Sequence, residues 1–226
     1  MLPRETLATA QIPGGDTLTL VSHGRDFIIM LGRDELMGTR MQFSEEQLAE
    51  LAIAELATKA PRVLIGGYGM GFTFRKALAQ AGPKSTVVVA EVVPEILDWA
   101  RGPLAHLTGD SLDDPRGDVV LCDVAALIDD ANDGTCAKWD AILLDVDNGP
   151  DGIVRDGNER LYSRTGLGKA RDALTPGGVL AVWSAAPDHR FRTRLKEAGF
   201  DVEERTVRAR PNNKGPRHTV WFAKKP

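Results

Sequence analysis

The sequence feature that most limits the fold is a glycine-rich junction between a short apolar run and a probable helix. The run Val63–Ile65 is followed by the segment "GGYGMG" and then by "FTFRKALAQAG", which is predicted to be helical. Glycine readily adopts the positive φ angles that tight turns need. A helix that starts there points backbone N–H groups towards the space beyond the strand. The junction therefore predicts either a purely structural turn or a place where a ligand approaches the backbone closely.

From residue 62 onward, apolar strands alternate with helices. The predicted strands are residues 62–67, 85–92, 117–123, 139–147 and 179–185, and the predicted helices are residues 72–82, 94–104, 124–131, 164–174 and 189–199. The strands are continuous apolar runs, as burial on both faces of a parallel sheet requires. Two further strands, 201–209 and 217–225, close the chain. The predicted fold class is α/β, a Rossmann-like doubly wound mostly parallel sheet with an antiparallel C-terminal strand pair.

A small N-terminal β-strand unit, residues 1–42, is predicted to precede a Rossmann-like nucleoside-binding catalytic domain, residues 43–226. Short apolar stretches at 6–12, 17–23 and 27–31 are separated by the turn segments "PGGD" and "GRD". Such spacing is typical of antiparallel strands. A helix is predicted over residues 43–60, with Ser44 and Gln47 forming a capping box at its start.

Ligands of doubly wound sheets bind beyond the carboxyl ends of the strands. Glu91 ends the second predicted strand, and an acid there can accept hydrogen bonds from both ribose hydroxyls, with Val92 beside it. Asp123 directly follows the third strand, where it can accept a hydrogen bond from an adenine amino group while Cys122 and Val124 flank the ring. The alternatives are a solvated charge at Glu91 and a helix N-cap at Asp123, and Asp123 can serve both roles.

Two classes of cofactor fit a glycine turn followed by an acid. Dinucleotides favour G-x-G-x-x-G, whereas Gly67, Gly69 and Gly71 are spaced G-x-G-x-G. S-adenosylmethionine has no phosphate and needs acids and backbone contacts, so the pattern favours it over NAD and over an oxidoreductase. The predicted contacts of the cofactor with the junction are Gly66, Gly67, Gly69 and Gly71.

The end of the fourth predicted strand carries the candidate catalytic residues, in "DVDNGPDG". Asp145 can hold an acceptor amine and receive its proton, with Asp147 as a second catalytic carboxylate and Asn148 orienting the acceptor. The alternative is an ordinary Asp/Asn/Gly/Pro turn. No metal site is predicted, because His189 and His218 lack metal-ligand spacing and are expected at the surface or at helix caps.

Other acceptor contacts are predicted from their places in the chain. Tyr68 lies inside the glycine segment, and Trp183 ends the fifth strand, where it would wall the pocket or pack in the core. Residues 149–164 form a long polar connection of the kind that often acts as a lid. Tyr162 and Arg160, within that connection, are candidate substrate contacts.

Several segments resemble known transferases. "ALTPGGVLAVWS" resembles the turn before strand 5 in class I S-adenosylmethionine-dependent transferases, and "LMGTRMQFSEEQLAELA", "VVAEVVPEILDWAR" and "LDDPRGDVVLCDVAALI" resemble the spermidine synthase-like family. The resemblance implies a cofactor that is S-adenosylmethionine or decarboxylated S-adenosylmethionine. It also implies Glu91 on the ribose, Asp123 on the adenine and Asp145 in the catalytic position. Two motifs depart from it: aminopropyltransferases carry GGGDGG and DSSDP where this chain has "GGYGMG" and "DVDNGPDG".

Because of these two departures, methyl transfer to a small-molecule acceptor, with an amine as one candidate, is the expected function. The alternatives are aminopropyl transfer from decarboxylated S-adenosylmethionine and a non-catalytic nucleoside-binding module. The resemblance also implies a homodimer. The net charge of −4 gives no general attraction to nucleic acid, and no apolar run reaches the ~20 residues that span a membrane. Two cysteines are too few for a disulfide framework, so a cytoplasmic location is expected.

Overall fold

The computed structural model describes residues 3–14, 16–146, 149–150 and 156–226. Eleven strands form two sheets in this part of the chain: β1 Arg4–Gln11, β2 Thr17–His23, β3 Asp26–Leu31, β4 Asp34–Gly38, β5 Arg62–Gly66, β6 Thr86–Glu91, β7 Gly117–Leu121, β8 Trp139–Leu144, β9 Leu174–Ser184, β10 Asp201–Arg210 and β11 Lys214–Lys224. The first four strands form an antiparallel sheet in chain order. The other seven form a sheet with the order β10-β11-β9-β8-β5-β6-β7.

Five neighbouring strands of the large sheet, β9-β8-β5-β6-β7, run parallel. Strand β11 pairs antiparallel with β9, and β10 pairs antiparallel with β11. The α-helices of the described residues are α1 Phe43–Ala54, α2 Phe72–Gln80, α3 Pro94–Arg101, α4 Ala105–Thr108, α5 Val124–Asp133, α6 Glu159–Tyr162, α7 Arg164–Ala173 and α8 His189–Glu197, and two 3₁₀ helices are Gly109–Asp113 and Asp156–Asn158. The predicted fold class, including the antiparallel C-terminal pair and the small N-terminal sheet, is confirmed.

Alternate residues of the parallel strands enter two separate cores. Val63 and Ile65 of β5 face a core that contains α1, α2 and α3 together with the inner face of the N-terminal sheet. Leu64, between them, faces the other core, which contains α5, α7 and α8. Because successive side chains of a strand point to opposite faces, this alternation is what a sheet covered on both sides requires. Because helices cover both faces of the sheet, the loops that follow the parallel strands meet at the carboxyl ends of those strands.

Several local predictions are corrected by the structure. The first long helix ends at Ala54 and not near residue 60, and its N-cap is Gln42, with no capping hydrogen bond from a side chain. The predicted capping box is therefore wrong: the Ser44 hydroxyl instead lies 2.8 Å from His218 Nδ1. His218 is buried, not at the surface, and burial lowers its pKa. Strand β9 begins at Leu174, so "TPGG" is part of the strand and not a turn before it.

The N-terminal sheet has a fourth strand, β4, that the sequence analysis did not identify. It pairs with β3 and carries Leu36 and Met37 to the large sheet's carboxyl-end edge. Within the described ranges, no helix is long and apolar enough to cross a membrane.

Candidate functional site

A cavity opens at the carboxyl ends of the parallel strands, between the large sheet and the N-terminal sheet. It measures about 990 Å³ when the space that opens to solvent is included. Its lining residues are Ile12, Leu18, Ile29, Leu36, Met37, Glu45, Gly67, Gly69, Ala90, Glu91, Val92, Val93, Ile96, Asp123, Val124, Asp145, Val146, Asn158 and Trp183.

The glycine junction forms one wall of this cavity, and the two of its glycines that line the cavity have a left-handed backbone. Gly67 has φ +85°, and a Cβ atom there would lie 2.8 Å from the Asp145 carbonyl oxygen. Gly69 has φ +54°, and its Cβ would lie 2.6 Å from Met37 Sδ. Both positions therefore have a left-handed backbone that strains any other residue. At Gly67 the close neighbour is rigid backbone, whereas at Gly69 it is the flexible end of the Met37 side chain. The glycines let β8 and the N-terminal sheet approach the junction, and Gly67 and Gly69 also line the cavity.

Glu91, at the end of β6, is buried and is held by backbone N–H groups. Its Oε1 accepts hydrogen bonds from the N–H groups of Val92 (2.8 Å) and Val93 (2.9 Å), and its Oε2 accepts one from Tyr68 N–H (2.9 Å). A carboxylate has about four acceptor sites, so three such bonds leave capacity for a ligand hydroxyl. The hydrogen bonds fix the carboxylate at the cavity wall and tie the glycine junction to β6.

Asp123 is the N-cap of α5 and also lines the cavity, so its adenine role stays a prediction. Its Oδ1 accepts a hydrogen bond from Ala125 N–H at 2.9 Å, which makes it the N-cap of α5, and the residue lines the cavity. Its Oδ2 is 2.7 Å from an Arg160 guanidinium nitrogen. Arg160, a candidate substrate contact in the sequence, therefore pairs with the candidate adenine ligand.

Asp145 follows β8 and forms an acidic pair with Glu45, which lies in the first turn of α1. Thr73 Oγ1 donates a hydrogen bond to Asp145 Oδ2 (2.7 Å) and also lies 3.3 Å from the Glu45 backbone oxygen. Burial raises the pKa of Asp145 to about 6 even though the Thr73 hydrogen bond lowers it. Burial, and then the charge of Asp145, raise the pKa of Glu45 well above its usual range.

Glu45 has the features of a ligand-binding carboxylate, although the sequence analysis assigned it no role. It lines the cavity with only 6% of its surface exposed, and its Oε2 has no hydrogen-bond partner in the part of the chain that the structure describes. Buried polar atoms without a partner are uncommon and call for an explanation. Asp145 and Glu45 together place two carboxyl groups of raised pKa at one end of the cavity.

Trp183, near the end of β9, also lines the cavity and is buried against His218. The two rings meet edge to face with centroids 4.8 Å apart, and His218 is in turn held by Ser44. The indole Nε1 of Trp183 is buried without a hydrogen-bond partner among the described residues. The prediction that Trp183 either walls the pocket or packs in the core is resolved by the geometry: it does both.

The structure brings most of the predicted site residues to this cavity and places five of them elsewhere. Gly66, Gly71 and Cys122 do not line it. Tyr68 directs its ring away, against Phe74 at a centroid distance of 5.9 Å, and burial raises its pKa to about 12. Tyr162 is buried edge to face against Phe191. Asp147 and Asn148, and residues 151–155 of the connection considered as a lid, lie outside the described residues.

Comparison with known proteins finds chains of similar sequence and of similar structure. No family model matches the chain. A polyamine aminopropyltransferase of Mycobacterium tuberculosis is 35% identical over 149 residues, which is 63% of this chain and 27% of the relative. Polyamine aminopropyltransferase 1 of Streptomyces coelicolor is 33% identical over 127 residues, 55% of this chain and 22% of the relative. The chain thus matches about a quarter of the length of these two relatives.

Solved structures have the same fold. The spermidine synthase of Thermotoga maritima superimposes with a TM-score of 0.75 at 19% identity, covering 98% of this chain and 73% of that protein. The resemblance to the spermidine synthase-like family is confirmed. The expectation of methyl transfer is wrong, because the curated relatives are aminopropyltransferases and the structural neighbours are spermidine synthases.

The cavity-lining residues that the sequence analysis did not identify lie in segments other than the ends of the parallel strands. Glu45 lies in a helix that precedes the parallel sheet, and the apolar cavity wall comes from the N-terminal sheet. The available signal for Glu45 was its place in "LMGTRMQFSEEQLAELA", the segment that resembles spermidine synthase-like proteins. Asn158, which lines the cavity beyond the strand ends, had no signal of its own.

Proposed function

We propose that this chain catalyses aminopropyl transfer from decarboxylated S-adenosylmethionine to an amine. The observation that carries the proposal is the charge of the cavity. Its described lining residues include four carboxylates, Glu45, Glu91, Asp123 and Asp145, and no lysine or arginine. The decarboxylated donor has a sulfonium and an ammonium group, both positive, and the acceptor amine is also a cation at neutral pH. The intact donor has a carboxylate that would find no cationic partner among these residues.

The nucleoside part of the donor is assigned to the side of the cavity formed by β5, β6 and α5. Glu91 accepts the ribose hydroxyls with its remaining acceptor capacity, and Asp123 accepts the adenine amino group. Val92 and Val124 supply apolar surface for the ring, and Gly67 allows close approach of the sugar to the backbone. Support comes from the burial and fixed orientation of Glu91, since a carboxylate held by three backbone N–H groups is preorganised for a further bond.

The chemical step is assigned to the end of the cavity that Asp145 and Glu45 line, which is called the acidic end. Asp145 accepts a proton from the acceptor ammonium, and the nitrogen lone pair then attacks the donor carbon beside the sulfonium. The new C–N bond forms as the C–S bond breaks. The electron pair of that bond stays on sulfur, so neutral 5′-methylthioadenosine leaves. A carboxyl group whose pKa is about 6 suits proton transfer near neutral pH, and Thr73 orients it. Glu45 adds a second carboxyl group, whose Oε2 has no hydrogen-bond partner among the described residues, as a further acceptor for the cations.

The test is a mass-spectrometric assay with decarboxylated S-adenosylmethionine and a panel of primary amines. Release of 5′-methylthioadenosine together with an aminopropylated amine supports the proposal, and absence of both products with every amine refutes it. Asp145→Asn should reduce turnover by about 100-fold or more, the size of a general-base contribution. Asp118→Asn, on the exposed side of β7, is the matched control and should retain activity. The homodimer and the cytoplasmic location stay predictions.

A further inference from the structure

A buried hydrogen bond ties the first turn of α1 to the C-terminal strand β11. Ser44 Oγ lies 2.8 Å from His218 Nδ1, and neither residue lines the cavity. Burial lowers the pKa of His218, so its imidazole is neutral at neutral pH. Since a neutral imidazole either accepts the hydroxyl proton at Nδ1 or donates its own, the two side chains are joined in both tautomers. The N-cap residue Gln42 makes no side-chain capping bond, so contacts of this kind hold the start of α1 in place.

Each partner of this hydrogen bond adjoins a residue that lines the cavity. Glu45 follows Ser44 in the first turn of α1, and its buried Oε2 has no hydrogen-bond partner among the described residues. The position of the Glu45 carboxyl group therefore depends on how firmly the helix backbone is held. His218 contacts Trp183 edge to face, with ring centroids 4.8 Å apart. Trp183 is opposite Val220 in the pairing of β9 with β11, so the two rings are diagonal neighbours on one face of the sheet.

We propose that Ser44 and His218 are positioning residues, which hold Glu45 and Trp183 in the geometry that binding and turnover require. The hydrogen bond fixes the helix turn that carries Glu45, and the imidazole ring limits the orientations of the Trp183 indole. Displacement of a binding or reacting group by about 1 Å can reduce turnover by about 100-fold, so two residues outside the cavity influence the reaction inside it. The effect on turnover rests on the proposed aminopropyl transfer, whereas the effect on the Glu45 carboxyl group does not.

The direct test follows the titration of the Glu45 carboxyl carbon by NMR spectroscopy, with the signal assigned by its loss in Glu45→Gln. Burial and the charges of Asp145 and Glu46 raise the pKa of Glu45, so its titration reports where the carboxyl group lies. Ser44→Ala removes the hydroxyl and should lower this apparent pKa by about half a unit or more. Ser85→Ala, which removes a buried hydroxyl without a partner among the described residues, is the matched control and should leave it unchanged. An unchanged titration in a folded Ser44→Ala protein overturns the proposal.

Two substitutions of His218 separate the hydrogen bond from the ring contact. His218→Phe keeps a ring against Trp183 and removes the nitrogen, so it should lower the apparent pKa of Glu45 as Ser44→Ala does. His218→Asn keeps a polar atom within reach of Ser44 and removes the ring, so Glu45 should titrate as in the unaltered protein. Thermal melts verify that each variant is folded. The same Glu45 titration in the two variants would contradict the role of the hydrogen bond.

Turnover provides the second readout. With decarboxylated S-adenosylmethionine, kcat/KM for the best amine should fall by about tenfold or more in Ser44→Ala and in both His218 variants, while affinity for 5′-methylthioadenosine stays unchanged. An equal loss of nucleoside affinity would indicate general disruption and would count against positioning. Full activity of His218→Asn would remove Trp183 from the proposal. If the unaltered protein releases no 5′-methylthioadenosine with any amine, the proposed function fails, and the Glu45 titration still decides whether Ser44 and His218 position that carboxyl group.

Discussion

Thr73 Oγ1 donates a 2.7 Å hydrogen bond to Asp145 Oδ2, joining the first turn of α2 to the end of β8. The same oxygen lies 3.3 Å from the Glu45 carbonyl, so one hydroxyl connects the three elements that surround the acidic end of the cavity. The hydrogen bond opposes the rise in the pKa of Asp145, and burial exceeds its effect. A buried carboxylate that is ionised at neutral pH is an energetic cost to the fold, as is common at sites shaped for binding and catalysis.

Asp145→Asn should stabilise the fold at neutral pH while removing activity. Between pH 3.8 and about 6 the folded protein retains the Asp145 proton that the unfolded chain has lost. The contribution of Asp145 to stability therefore falls as pH rises through this window and stays low above it. Asparagine avoids the buried charge and still accepts the Thr73 hydrogen bond. We expect a gain of about 1–3 kcal/mol at pH 8 and little gain near pH 4, measured by urea unfolding. Asp118→Asn is the control, and an equal effect at both pH values would contradict the account.

Glu45→Gln and Asp145→Asn should be coupled in a double-mutant cycle. Each single substitution removes one of two repelling charges, so either one relieves the repulsion that raises the pKa of Glu45. The gain in the unfolding free energy of the double variant at pH 8 should be smaller than the sum of the single gains by about 1 kcal/mol. Near pH 4 the coupling should vanish, because both groups are then protonated. Additivity at pH 8 would show that the two carboxylates do not interact.

Gly67→Ala should be more destabilising than Gly32→Ala. Both glycines have positive φ, +85° and +57°, so both substitutions strain the backbone, at a cost of about 1–2 kcal/mol. Gly32 has no atom near its Cβ position, whereas Gly67 faces the rigid Asp145 carbonyl oxygen at 2.8 Å. Overpacking there should add about 1–3 kcal/mol to the loss of unfolding free energy. Denaturant unfolding of the two variants measures the difference. Equal losses of unfolding free energy would mean that the Asp145 carbonyl oxygen moves away from the new Cβ atom without cost.

Glu91→Gln should loosen the glycine junction and weaken nucleoside binding. The amide NH₂ must replace one of two oxygens that both accept backbone hydrogen bonds, so at least one N–H group meets a donor. The expected loss of unfolding free energy is about 1.5–3 kcal/mol, with a clear decrease in affinity for 5′-methylthioadenosine in titration calorimetry. Glu5→Gln, on the exposed strand β1, serves as the control. A Glu91→Gln protein that kept full affinity would remove the ribose role of this residue.

The local pattern of the sequence was sufficient to predict the large sheet and the strand-end residues. Glu91, Asp123 and Asp145 all line the cavity because parallel strands end at the same edge, a rule that needs only the strand order. Tyr68 could not be assigned in this way. Its backbone N–H binds Glu91 while its ring turns to Phe74, and the direction of one side chain in a turn depends on packing.

Long-range contacts account for the other differences. Ser44 looked like a helix cap and His218 like a surface residue because each was read from its neighbours in sequence, yet the two form a buried pair 174 residues apart. Glu45 and Met37 reach the cavity only through the docking of α1 and the N-terminal sheet onto the glycine junction. Contacts between residues that are far apart in the chain depend on the tertiary structure, so the periodicity of the sequence does not predict them.

The most direct test of the aminopropyl-transfer account is titration calorimetry of the protein with decarboxylated and with intact S-adenosylmethionine. A cavity lined by four carboxylates and by no lysine or arginine among its described residues should bind the decarboxylated donor at least about tenfold more tightly, a difference of 1.4 kcal/mol. Equal affinities, or tighter binding of the intact donor, would contradict the account.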